Sequence, residues 1–259
     1  MLLEDFLSYQ KCSLHSTMKK IHLVLLPGLD GTEILFGPLI RHLPPWIQPH
    51  IISYPTSGKN SYEELLEAVD SEVSRFEHFA ILGSSFGGPL SLMIAARHSP
   101  RVSAILLCAS FVTPPRPELV RFRLIARTPV IGVLRALRRI RFVIPGLASD
   151  ELRRAKAKLW NRVGARVLAS RSRAVLRVDV RSQLKDVAVP LMYLAFTNDT
   201  VVPRRCLEEV VSIAPLTHVA EIEGEHLGLF THPKPSAEFI ADFLAISVLP
   251  RSPAESATV

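Results

Sequence analysis

The stretch Phe79-Ala80-Ile81-Leu82-Gly83-Ser84-Ser85-Phe86-Gly87-Gly88-Pro89-Leu90-Ser91-Leu92-Met93-Ile94-Ala95-Ala96 reads as a short apolar strand, a sharp turn and an apolar helix. The turn contains G-x-S-x-G. Gly83 and Gly87 have no side chains, so strand and helix can approach closely and force one serine hydroxyl out of a strained turn. That serine is Ser85. Ser84 fails the same test, because Leu82 and Phe86 stand two residues to either side of it. The backbone N–H of Phe86, at the positive end of the following helix, is directed to where an oxyanion would form.

Working outward, further segments read as strands at Lys19–Leu26, Gln48–Pro55, Val102–Cys108, Val189–Phe196 and His218–Ile222, the first of them a continuous apolar run ended by Pro27-Gly28. Continuous apolar runs are the mark of strands buried on both faces, and helical patterns lie between several of them. One such pattern runs through Phe36, Leu39 and Ile40, another follows a capping box formed by Ser61 and Glu64, and the last spans Ser236 to Val248. The alternation predicts a mostly parallel sheet covered by helices on both faces, with ligands at the carboxyl ends of its strands. Three prolines, Pro114, Pro115 and Pro117, interrupt it, and residues 113–181 read as helices only.

The predicted organisation is an N-terminal lead-in at 1–18, a first core part at 19–112, a helical cap insertion at 113–181, a second core part at 182–248 and a disordered tail at 249–259. Charge is segregated along this plan. Residues 112 to 181 hold 18 Lys and Arg against four acids, a net +14, and the remainder carries −7. The basic segment either meets an anionic partner or consists of helices solvated by arginine. Within it Val130, Val133, Leu134, Leu137 and Ile140 form a basic amphipathic pattern, which suits a cap over a substrate pocket, a helix at a membrane surface or a packed helix with solvated arginines.

Three cysteines, Cys12, Cys108 and Cys206, are far apart, odd in number and without C-x-x-C or Cys/His clustering, so neither a disulfide framework nor a zinc site is suggested, and the serine chemistry considered below needs no metal or redox cofactor. The first residues are acidic where a secretory signal would be basic, and no apolar run reaches the ~18 residues of a membrane span, so a cytoplasmic location is expected. Arginines interleaved with apolar residues, without a recognised motif, make nucleic-acid binding a poor fit.

Acyl transfer by serine needs a base, an acid to orient it and donors for the oxyanion. Asp199 lies just past the strand ending at Phe196, and His226 just past the strand ending at Ile222. A lone histidine among nine means little. The order Ser85, Asp199, His226, with each member leaving a strand end, means more. His22, His50, His98 and His232 sit in or beside other elements, Asp179 and Asp186 stand among charges, and Glu223 and Glu225 read as loop carboxylates beside the histidine. The loop Pro27-Gly28-Leu29-Asp30-Gly31-Thr32 follows the first strand, and Leu29 is the candidate for the second oxyanion N–H. Asp30 reads either as orienting the loop or tuning the site, or equally well as a turn residue or a helix cap with Glu33.

Through Leu26–Thr32, Gly83–Gly88, Asn198–Pro203 and Gly224-Glu225-His226, residues 19 to 248 resemble the α/β-hydrolase superfamily. The likeness is to small bacterial carboxylesterases and thioesterases with a helical cap, including the pimeloyl-carrier-protein methyl ester esterases. The Pro-Gly-Leu-Asp-Gly-Thr loop is also similar to that of plastid esterase/lipase/acyltransferase proteins. Pro27 stands where many relatives carry His. The resemblance implies an α/β-hydrolase fold and hydrolysis of a small-molecule ester or thioester through an acyl-enzyme on Ser85, with Leu29 and Phe86 as oxyanion donors. An acyltransferase with the same residues, or a ligand-binding member without turnover, is the alternative. The basic cap further suggests a substrate presented on an anionic acyl carrier, such as acyl carrier protein or coenzyme A.

Overall fold

The computed structural model describes residues 20–118 and 150–248. Six strands build one sheet: β1 Ile21–Leu26, β2 Ile47–Ile51, β3 Phe79–Ser84, β4 Val102–Cys108, β5 Leu191–Phe196 and β6 His218–Ile222. Their order is β2-β1-β3-β4-β5-β6 and all five pairings are parallel. Each segment expected to be a strand contains one, although β2 ends at Ile51 rather than running to Pro55 and β5 begins at Leu191 rather than Val189. β3, which runs into the Ser85 turn, is central, with Leu26 of β1 and Leu107 of β4 in register with Gly83.

Alternation along the strands splits the core into two layers. Val24, Leu26, Ile81, Ile105, Leu107 and Tyr193 bury one face under α2 Tyr62–Val73 and α3 Gly87–Arg97. Leu23, Leu25, Leu82, Leu106, Met192 and Leu194 bury the other under α1 Gly37–Ile40 and the closing helix, whose Ile240, Phe243 and Leu244 face them. At about 25 cal/mol for each Å² removed from water, such two-sided burial is the main term holding the sheet. It also explains why the inner strands β3, β4 and β5 read as largely apolar runs, while the edge strands β2 and β6 are more polar and less buried.

Local signals behave as their chemistry requires. Ser61 accepts from the Glu64 N–H while Glu64 accepts from the Ser61 N–H, the reciprocal capping box that opens α2. The segment through Phe36 is a short 3₁₀ turn, Glu33–Phe36, running into α1; it is shorter than the periodicity suggests, because Gly37 and Pro38 interrupt it. The amphipathic pattern at 130–140, the lead-in 1–18 and the tail 249–259 lie outside the described residues.

The described part of the expected cap is helical. α4 Asp150–Arg162 buries Leu152, Ala155 and Leu159, the first two in a cluster with Phe230, Ile34, Leu35 and Leu227. α5 Ala165–Val175 buries Val167 and Leu168, which with Val163 pack against Leu29. α6 Arg181–Lys185 then returns the chain to β5. These helices therefore sit over the loops that leave β1 and β6. Surface pairs such as Arg41–Glu151, 3.0 Å apart, add little beside that apolar contact, since exposed ion pairs are worth about 0–1 kcal/mol. α7 Arg205–Ile213, α8 Gly228–Thr231 and α9 Pro233–Val248 complete the described residues.

Candidate active site

At the carboxyl end of β3 the chain makes the turn its glycines predict. A Cβ on Gly83 would lie 2.6 Å from the Gly88 Cα, and one on Gly87 would lie 2.5 Å from the Leu26 carbonyl oxygen. Backbone cannot yield at such distances, so both positions must lack a side chain. Ser85 sits between them at φ 51°, a left-handed conformation that non-glycine residues adopt only when their surroundings impose it. Its N–H donates to the Cys108 carbonyl at 2.8 Å, and the Ser110 hydroxyl donates to its carbonyl at 2.7 Å. Ser110 is in turn held by Tyr193, whose hydroxyl donates to the Ser110 carbonyl at 2.6 Å.

The three residues proposed from chain order meet. Ser85 Oγ lies 3.0 Å from His226 Nε2, and His226 Nδ1 lies 2.7 Å from Asp199 Oδ2. A carboxylate only accepts, so Nδ1 carries the imidazole proton and Nε2 is left to accept from the serine hydroxyl. The other Asp199 oxygen accepts the Val201 and Val202 N–H groups at 2.8 and 2.9 Å, which fixes the carboxylate plane. Two backbone bonds, Thr197 N–H to Ile222 and Asn198 N–H to Gly224, join the aspartate loop to the histidine loop. Asp199 is 5% exposed and His226 17%, so the pair is shielded while the imidazole edge stays reachable.

The other candidates are engaged elsewhere. His22 and His50 face each other at 2.9 Å, His98 bonds Asp70 at 2.8 Å, and Asp179 pairs with Arg181. Glu223 and Glu225 point outward as exposed loop carboxylates. Among the described residues no group of three or more His, Cys, Asp or Glu could hold a metal ion, and Cys108 and Cys206 are buried and free. Burial pushes the Cys206 thiol up to about 11, so it is not a reactive thiolate.

The loop after β1 lies against the serine: a Cβ on Gly28 would be 3.7 Å from the Ser85 Cβ. The Gly31 N–H donates to the Gly28 carbonyl at 2.9 Å, closing a tight turn. Asp30 serves that turn, accepting the Thr32 N–H at 2.9 Å and hydroxyl at 2.6 Å, rather than capping a helix with Glu33. Burial raises the Asp30 carboxyl above its usual range, with the Thr32 bonds and the Arg171 charge opposing the rise. Among the described residues, neither the Leu29 nor the Phe86 N–H is taken by a backbone acceptor.

Sequence reading missed the supports of this loop and of the Ser85 turn. Tyr54 donates its hydroxyl to the Pro27 carbonyl at 2.9 Å, Tyr62 donates to the Phe86 carbonyl at 3.0 Å and stacks on the Phe86 ring, and Arg171 from α5 is wholly buried against Leu29 and Asp30. One signal for Arg171 existed: it stands between Leu168 and Val175 at the spacing of the apolar face of α5.

Comparison with known proteins agrees with this architecture. The chain is 29% identical over 247 residues to the pimeloyl-[acyl-carrier protein] methyl ester esterase of Sodalis glossinidius, covering 85% of this chain and 92% of the relative. The crystal structure of the enol-lactonase from Burkholderia xenovorans superposes with a TM-score of 0.72 at 20% identity, over 87% of this chain and 92% of that one. A carboxylesterase structure from the thaumarchaeon Nitrososphaera gargenis gives 0.74 at 18% identity, over 88% and 91%. Residues 23–241 match the model of the alpha/beta hydrolase family, and the chain belongs to that family.

Proposed function

We propose that the protein is a serine hydrolase that cleaves a small-molecule carboxylic ester or thioester through an acyl-enzyme on Ser85. The observation that carries this reading is the hydrogen-bonded chain from Ser85 Oγ through His226 to Asp199, at 3.0 and 2.7 Å. His226 Nε2 takes the hydroxyl proton as Oγ bonds to the acyl carbon. The carbonyl oxygen, now an anion, is received by the Leu29 and Phe86 N–H groups. The tetrahedral adduct collapses by expelling the alkoxide or thiolate, which takes the proton from His226. A water molecule then gives its proton to Nε2, attacks the acyl carbon and releases the acid, and the proton returns to Ser85. Asp199 holds the imidazole in the tautomer this sequence needs and stabilises the imidazolium between the two proton transfers.

The Sodalis relative acts, by its name, on a methyl ester carried on acyl carrier protein. With the net +14 of residues 112 to 181, this supports a carrier-presented acyl substrate here too. The site is tested by labelling with a fluorophosphonate probe. The parent and Ser84→Ala label, and Ser85→Ala does not; a labelled Ser85→Ala protein would refute the assignment.

A further inference from the structure

Arg171 is the largest fully buried side chain among the described residues, and it forms no ion pair with any of them. A buried guanidinium is tolerated only when its donors are satisfied. Arg171 has five N–H groups and makes five hydrogen bonds: Nε to Asn60 Oδ1 at 3.1 Å, one Nη to the carbonyls of Leu29 at 2.9 Å and Asp30 at 2.6 Å, and the other to the Pro55 carbonyl at 3.0 Å and Asn60 Oδ1 at 2.8 Å. Its charge lies over the Tyr54 ring, 5.3 Å from the centroid. Burial brings its pKa down to about 10, which still leaves it charged at neutral pH.

The acceptors show what this charge does. Every carbonyl from Pro27 to Gly31 is engaged: Pro27 by the Tyr54 hydroxyl, Gly28 by the Gly31 N–H, Leu29 and Asp30 by Arg171, and Gly31 by the Tyr54 N–H. In a trans peptide the N–H points opposite to the preceding C=O. With the Gly28 carbonyl turned into the 28–31 turn, the Leu29 N–H is turned out of it. Holding the next peptide plane through the Leu29 carbonyl keeps it so. Gly31 is shaped for the same contact, because at φ 68° a Cβ there would sit 2.7 Å from the Arg171 guanidinium carbon.

We infer that Arg171 is a positioning residue for the oxyanion loop: reaching in from α5, it locks the Leu29–Asp30 peptide so that the Leu29 N–H is preorganised toward Ser85. This rests on the esterase reading above. Arg171 touches no reacting atom and acts only through the loop. The effect belongs to the transition state, since ground-state ester binding does not depend on that N–H.

The test uses the full-length protein and a short p-nitrophenyl ester, with rates expressed per active site titrated by a stoichiometric organophosphate. Arg171→Met lowers kcat by about 10- to 100-fold while KM stays within about twofold, as expected for a misplaced oxyanion donor. Arg171→Lys, with three donors on one nitrogen, falls between. The Ki of a trifluoromethyl ketone, which forms a tetrahedral adduct on serine, rises by the same factor as kcat/KM falls. Gly31→Ala reproduces the loss by displacing the guanidinium, and combining it with Arg171→Met adds little.

A purely structural role would instead lower thermal stability and the titratable fraction, leaving kcat per titrated site and the ketone Ki within about twofold of the parent. That result overturns the inference, as do losses that multiply in the double variant. Failure of the esterase reading is seen separately, as a parent whose turnover is unchanged by Ser85→Ala.

Discussion

Asp199 shows how much one atom decides at this site. Its Oδ2 accepts from His226 Nδ1 at 2.7 Å while Oδ1 is tied to two backbone N–H groups, so the carboxylate cannot turn away. Asp199→Asn keeps the shape but can present an amide N–H to the ring, favouring the tautomer with its proton on Nε2, where Ser85 needs an acceptor. The expected fall in kcat on a p-nitrophenyl ester is about 10³- to 10⁴-fold with little change in melting temperature; a loss below tenfold would show that the imidazole is oriented by something else. Asp30 gives a prediction of the opposite kind. Burial raises its folded-state pKa, so the native protein binds this proton more tightly than the unfolded chain does, and stability falls as pH rises from the unfolded pKa through the folded one. Asp30→Asn still accepts from Thr32 and carries no charge to desolvate. Its melting temperature at pH 7 should exceed the parent's by a few degrees, each 1 kcal/mol being worth about 2–4 °C in a chain this long. The gain should vanish at a pH below the ordinary carboxylate range.

At the scale of elements, the contact between β3 and α3 sets where Ser85 stands. Gly83→Ala would press a methyl group into the backbone of Gly87 and Gly88, which no rotamer change relieves. A destabilisation of about 3 kcal/mol in urea unfolding is expected, with loss of fluorophosphonate labelling at Ser85. This contact was legible in the sequence because it is local, and the four inner strands β1, β3, β4 and β5 were legible because two-sided burial leaves largely apolar runs, whereas the edge strands β2 and β6 are more polar and less buried. Asp199 and His226 could be picked out because each follows a strand within a few residues, Asp199 after β5 and His226 after β6. The supports were not legible, since each depends on register between distant segments. Ser110 meets Tyr193 only because β4 and β5 are neighbours, and Tyr62 stacks on Phe86 only because α2 packs beside the Ser85 turn. Arg171 was hidden differently, as one arginine among 18 basic residues, and only its burial sets it apart.

For the whole molecule the open question is what the basic segment meets. Arg154, Lys158, Arg166 and Arg177 of the described part are exposed, whereas Arg171 is consumed inside the protein, so the segment serves both structure and surface. Had all of its arginines only solvated helices, screening them would leave catalysis unchanged for every substrate. If the substrate is carrier-bound, as proposed, it arrives with the carrier's negative charge, and attraction between that charge and the basic segment would raise the encounter rate in a salt-dependent way. At 0.1 M salt charges are screened beyond about 10 Å, and at 1 M beyond about 3 Å. Between 50 mM and 500 mM salt, kcat/KM for an ester on acyl carrier protein should therefore fall by about tenfold or more, while that for a free p-nitrophenyl ester stays within about twofold. Arg154→Glu combined with Lys158→Glu should lower only the carrier-bound rate, because neither residue contacts the Ser85 site. Equal salt response for both substrates, or equal loss in the charge-reversed variant, would remove the carrier and leave a free ester or thioester as the substrate of the same chemistry.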